Sequence, residues 1–438
     1  MSSRCRTHQQ HGHHEHHILD YLQFLNDCPS SYHAAHLVAQ RLVDAGFERQ
    51  VESEPWSATP GGHVMVRDGA TIAWVVPEYL APTAGFRIVG AHTDSPTFVV
   101  KPHPTTRTTH GWEQINVEVY GGMLWNSWLD RELAIAGRLI TDDGTEVLVR
   151  TGALARIPQL AIHLDRTVNA DGLKLDPQRH LHPVWNVGTP ADLMARVARD
   201  AGLHSAEQIV ASDLNLIPTQ GAAVFGADNQ FIASGRQDNL SSVHAGLRAL
   251  ERLYDLGVPD SGDIVVFACF DHEEIGSDSR SGAAGPLLSD VLTRTATALG
   301  RNADGLGQML AASWCVSADA AHSVHPNYVE HHDPDHFPVL GGGVVVKVNA
   351  NQRYATDAVG QAMWRATCGA AEVPTQVFVS NNAMPCGSTI GPITATRLGI
   401  RTIDVGAGML SMHSAREMTH VDDVVALSTA LEGFWRSL

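Results

Sequence analysis

The chain has 438 residues, enough for a large buried core and more than one domain. Hydrophobic residues make up 44% and charged residues 18%, an ordinary globular balance, and no apolar run reaches the roughly 18 residues of a membrane-crossing helix. The formal net charge of −17 argues against nucleic acid as a partner. The start has no apolar signal core, and the six cysteines (Cys5, Cys28, Cys269, Cys315, Cys368, Cys386) form no CxxC pair. The expectation is a reduced protein of the cytoplasm, without a membrane partner.

Residues 1–17, ending in a histidine-rich run, read as a disordered tail. Helical spacing of apolar residues follows over Ile18–Ala45, broken at Cys28-Pro29. Short strands are predicted at His63–Arg67, Thr71–Val76 and Phe86–Ala91. Residues 97–165 then read as successive strands, the last at Gln159–Leu164, followed by a helix at Ala191–Ala201 and strands at Gln208–Leu216 and Ala222–Phe225. This texture predicts a β-rich insertion over 96–227. Strand and helix alternate from Leu240 to Trp435, which predicts an α/β fold with a mixed, largely parallel sheet flanked by helices. Its two parts are 18–95 and 228–438. In such sheets ligands gather beyond the carboxyl ends of the strands.

The most informative stretch is Asp271-His-Glu-Glu-Ile-Gly-Ser277, at the end of the apolar run Asp263–Phe270. Neighbours in a strand point to opposite faces, so Glu273 and Glu274 share one site only where the chain is turning. A metal site with a water has use for both, one as ligand and one as proton acceptor; a solvated acidic loop is the plain alternative. Other potential ligands also lie where strands end: His92 and Asp94, Asp238, Asp319 and His413. Taken singly, each reads as a structural histidine, a helix N-cap or a turn residue. Their common placement points to a site for two divalent ions such as Zn, Mn or Co.

Seven segments, in order, resemble the signatures of the M18 metallopeptidases, the aspartyl aminopeptidase family. They are Ala91-His-Thr-Asp-Ser-Pro96, Ser234-Gly-Arg-Gln-Asp-Asn-Leu240, Asp271–Ser277, Ser317-Ala-Asp-Ala-Ala-His-Ser-Val-His-Pro-Asn327, Lys347-Val-Asn-Ala-Asn-Gln-Arg-Tyr354, Met384-Pro-Cys-Gly-Ser-Thr-Ile-Gly-Pro392 and Ser411-Met-His-Ser-Ala-Arg-Glu-Met418. The resemblance implies a di-metal exopeptidase fold. One ion, most simply Zn, is then held by His92, Asp238 and Asp319, and a second by Asp238, Glu274 and His413. Glu273 is implied as general base, with Asp94 orienting His92, and the Asp238–Asn239 bond is implied to be cis.

The resemblance also implies cleavage of an N-terminal Asp or Glu from short peptides. Lys347 and Tyr354 would meet the acidic side chain, and His322 would contact substrate. His163 would reach a neighbouring subunit's site, which makes the insertion a dimerisation domain within a dodecamer. Lys347 read alone is a strand-end surface lysine. One departure is Val379-Ser-Asn-Asn-Ala383, where the resemblance leads one to expect a basic residue or an aspartate, as in many relatives; it bears on fine preference. Two other readings remain open at this point. One is a broader aminopeptidase or deacylase of the same superfamily; the other is a non-catalytic oligomeric scaffold.

Overall fold

The computed structural model describes residues 3–257 and 262–436, with side chains from His14 onward. A nine-stranded mixed sheet forms the core, in the order Glu48–Arg49, Gly61–Arg67, Ala70–Val76, Ile264–Phe270, Phe86–His92, Trp314–Ala318, Arg401–Gly406, Val344–Val348, Thr375–Val379. The four strands from Ile264–Phe270 to Arg401–Gly406 run parallel. Every residue of Ile264–Phe270 is buried, as expected for a strand covered on both faces. One face packs against the helices Ser31–Asp44, Gln237–Asp255 and Val421–Arg436. The other packs against Leu287–Ala298, Ala303–Ala312 and Ile390–Leu398. Register brings Phe270 beside His92 and Ala318 beside Val405, so the carboxyl ends of all four strands meet at one edge.

A second sheet, entirely antiparallel, is drawn from Thr97–Pro218. Its strand Ile209–Pro218 pairs with both Thr97–Arg107 and Glu132–Thr141, which curls the sheet into a barrel around Phe98, Ile115, Trp128, Leu133, Ile135 and Leu214. The α/β architecture with a β-rich insertion is thus as expected. A third, five-stranded sheet was not foreseen. It joins Ala223–Phe225, Phe231–Ser234, Glu417–His420, Gly408–Leu410 and Ala321–His322. Ala223–Phe225 therefore belongs with the strands that carry the site.

Two local expectations are corrected. In place of a disordered tail over 1–17, a helix spans Ser3–Asp27; Met1 and Ser2 lie outside the described residues. Its face Ile18, Tyr21, Phe24 and Leu25 is buried in the main core, and the preceding residues continue its turns. Gln159–Leu164 is a loop. Its alternating Leu160, Ile162 and Leu164 are all exposed, and Leu164 N–H closes a turn on the Ala161 carbonyl. Alternation alone cannot make a strand without a neighbouring edge to pair with.

Candidate active site

His92 is the last residue of its strand, and Asp319 follows the adjacent strand, fixed by Asp319 N–H bonding to Val405 O at 2.8 Å. That approach requires Gly406, because a Cβ there would lie 1.8 Å from the Asp319 carbonyl oxygen. After Phe270 the chain turns at His272, which adopts a left-handed φ of 64°, into the 3₁₀ turn Glu273–Ile275. This turn lets two consecutive glutamates serve one site. Asp238 lies in the first turn of Gln237–Asp255, where its bond to Asn239 is cis. His413 follows Gly408–Leu410, also with a left-handed φ, of 64°.

These elements bring seven predicted residues together. His92 Nε2 lies 3.4 Å from Asp238 Oδ1 and 3.5 Å from Asp319 Oδ1. His413 Nε2 lies 3.4 Å from Asp238 Oδ2 and 3.3 Å from Glu274 Oε2. Asp238 thus presents one oxygen to each imidazole. Glu273 Oε2 stands 4.0 Å from His92 Nε2. Asp94 accepts N–H bonds from both glutamates, Glu273 on Oδ1 and Glu274 on Oδ2, each at 3.1 Å. Its Oδ1 also lies 3.3 Å from His92 Nδ1.

A divalent-ion pair fits these residues. Two ligands about 2.1 Å from a tetrahedral ion stand about 3.4 Å apart, which matches the spacings above and exceeds a normal hydrogen bond. Asp238 Oδ1 and Glu274 Oε1 are buried and have no hydrogen-bond partner among the described residues, an arrangement that invites a cation. Among the described residues, the groupings of His, Cys, Asp and Glu close enough to share an ion are all formed by His92, Asp238, Glu273, Glu274, Asp319 and His413.

The electrostatics fit the same picture. Burial, reinforced by Asp238, lifts the Glu274 carboxyl well above its usual range. Burial also raises Glu273, to about 7; His92 opposes this, while Asp319 and Asp238 add to it. Burial disfavours the Asp238 carboxylate, but its close approach to the His413 and His92 imidazoles outweighs this and holds its pKa far below normal. A cluster this acidic would be strained by its own charge unless cations were present.

The cavity over the cluster, about 220 Å³, is lined by His322, Lys347 and Tyr354 as well as the six residues of the groupings above, while Asp94 lies behind them. Lys347 Nζ is buried, donating to Asp319 Oδ2 at 3.2 Å and Ala320 O at 3.1 Å, and it lies 5.2 Å from the centre of the Tyr354 ring. His163 stands apart, exposed on the Ala161–Leu164 turn and outside this cavity.

Two supporting residues escaped sequence reasoning. Glu417, buried in the third sheet, accepts His413 N–H on Oε1 at 2.8 Å and Asp238 N–H on Oε2 at 3.1 Å. Tyr120, from the inserted sheet, donates its hydroxyl to Asp94 Oδ2 at 2.7 Å. Glu417 lay four residues beyond His413 in a quoted segment, but nothing in the spacing marked it as a backbone anchor.

Comparison with known proteins shows the family. The family model described as Aminopeptidase I zinc metalloprotease (M18) matches residues 24–435. A Streptomyces avermitilis protein named "Probable M18 family aminopeptidase 2" is 51% identical over 422 residues, covering 95% of this chain and 97% of its own length. Of solved structures, one of the Ape4 and Nbr1 complex matches at TM-score 0.91 with 34% identity, over 96% of this chain and 86% of that one. The yeast mApe1 dodecamer matches at TM-score 0.84 with 29% identity, over 96% and 97%. The family match and the relatives' names define a metallopeptidase of the hydrolase class. The chain belongs to the M18 family of aminopeptidases.

Proposed function

We propose that this aminopeptidase removes an N-terminal Asp or Glu from short peptides at a pair of divalent ions, most simply Zn. The observation that carries the reading is the sharing of Asp238 between His92 and His413 at metal-ligand spacing. His92, Asp238 and Asp319 would hold one ion, and Asp238, Glu274 and His413 the other. Such a pair supplies polarisation of the scissile carbonyl and a lowered pKa for the attacking water. Glu273 takes that water's proton as its oxygen bonds to the carbonyl carbon. When the C–N bond breaks, Glu273 delivers the proton to the leaving nitrogen. A carboxyl already inclined to hold a proton suits this relay, and the ions' charge would keep it ionised at rest. Asp94 orients His92 through Nδ1.

Lys347 is the cation for an acidic side chain. An ammonium has three N–H donors, and Asp319 and Ala320 engage two, leaving one for substrate. Tyr354 and His322 would flank that contact. A second reading draws on the same ion pair: with Asp319 balancing the charge of Lys347, the pocket would accept neutral residues too. By likeness to the yeast dodecamer, we take the chain to form dimers through the insertion and a dodecamer from them, with His163 entering the neighbour's site. The exposed Leu160, Ile162 and Leu164 beside His163 suit burial in such an interface. The test is a kinetic comparison of Asp-X and Leu-X dipeptides on metal-loaded protein. A clear advantage in kcat/KM for Asp-X supports the acidic pocket, and equal values favour the second reading.

A further inference from the structure

The inserted sheet does more than flank the catalytic core. The hairpin that opens it begins five residues after His92, and Thr97 pairs with Tyr120, so it returns to where it left. At that return, Tyr120 hydroxyl donates to Asp94 Oδ2 at 2.7 Å, and Asp94 holds His92 Nδ1 through Oδ1 at 3.3 Å and through its carbonyl at 3.1 Å. Two residues on, the Gly122 carbonyl accepts from His413 Nδ1 at 2.7 Å. A carbonyl only accepts, so the neutral His413 imidazole carries its proton on Nδ1, which leaves the Nε2 lone pair toward Asp238 and Glu274. One short turn thus holds the His413 imidazole on Nδ1 directly and the His92 imidazole on Nδ1 through Asp94, with each Nε2 facing the shared carboxylate.

The residue between them shows how tight the fit is. Gly121 has φ +76°, and a Cβ there would come within 3.2 Å of Glu274 Cβ and 3.4 Å of Pro96. Only bare backbone passes between Glu274 and the start of the hairpin.

We propose that the turn Tyr120-Gly121-Gly122 is the positioning device for both candidate metal-binding imidazoles, so that ion binding is coupled to seating of the inserted domain on the catalytic core. This rests on the reading of His92 and His413 as metal ligands. Anything that shifts the inserted domain, including its own association with another copy, then changes ion affinity at both positions.

The test is zinc titration of the metal-stripped full chain by calorimetry, comparing wild type, Tyr120→Phe, Gly121→Ala and the exposed-site control Tyr79→Phe. The wild type and control bind two ions. Tyr120→Phe weakens one ion by about 10- to 100-fold, the usual effect of losing a ligand's outer hydrogen-bond partner. Gly121→Ala weakens the other by a similar factor. Excess zinc restores turnover with KM unchanged, and the metal-free Tm of Tyr120→Phe matches wild type. Two tightly bound ions in wild type and in both variants would overturn this inference while leaving the proposed function intact. Fewer than two ions in wild type would remove both together. A metal-free Tm that falls in step with affinity would reduce the turn to a packing role and overturn the coupling.

Discussion

Lys347 reaches back to Asp319, with Nζ 3.2 Å from Oδ2, while Asp319 Oδ1 faces His92. One cation thus touches both the proposed specificity pocket and the proposed metal site. Lys347→Ala is expected to raise KM for Asp-X substrates at least tenfold and for Leu-X substrates much less. It should also lower kcat for both, because Asp319 loses the partner that fixes its carboxylate. Steady-state kinetics on the two substrates check this; an equal rise in KM would remove Lys347 from selectivity.

Glu273 Oε2 stands 4.0 Å from His92 Nε2, farther than Asp238 or Asp319, so the proposed base would not be needed to hold an ion. Glu273→Gln should bind zinc with wild-type stoichiometry and lose about 10²- to 10⁴-fold in kcat. Metal analysis beside turnover measures both, and an unchanged kcat would exclude the relay.

Glu417 anchors the backbone of Asp238 and His413 with its two oxygens. In Glu417→Gln the amide NH₂ cannot accept, so one N–H is left buried without a partner. A loss of about 1–3 kcal/mol in stability is expected. Denaturant unfolding of the metal-free protein reads it directly, and a wild-type midpoint would contradict the anchoring role.

His17 gives the protein an acid-sensitive element. Burial, reinforced by the neighbouring His244, Arg252 and Arg248, pushes its imidazole down to about 2, and its Nε2 has no hydrogen-bond partner among the described residues. The native state keeps His17 neutral, whereas the unfolded chain protonates near 6.5. Its contribution is therefore complete above pH 6.5 and lost as pH falls toward 2, by up to about 1.4 kcal/mol per pH unit. Tm between pH 7 and pH 5 should fall less steeply in His17→Leu than in wild type; parallel slopes would rule His17 out.

Much of this was legible in the chain. His92, Glu273, Glu274 and Asp319 announce themselves as polar residues closing apolar strands, because parallel strands must end at a common edge. The supporting contacts were not legible. Tyr120 and Glu417 act through partners 26 and 179 residues away, and no local periodicity encodes such distances. The third sheet was missed because its strands are two to four residues long and pair across the whole chain. Leu160, Ile162 and Leu164 misled as a strand because their alternation is not used within one protomer. The histidine-rich start misled through composition, although Tyr21, Phe24 and Leu25 draw the helix onto the core.

The most direct measurement strips the protein of metal, reloads it with Zn, Mn or Co, and follows release of the first residue from matched Asp-, Glu-, Leu- and Lys-X peptides. Metal-dependent release, fastest for Asp or Glu, is the predicted result. Metal-dependent release led by Leu or Lys would contradict the acidic pocket, and no release with any metal would contradict the catalytic reading itself.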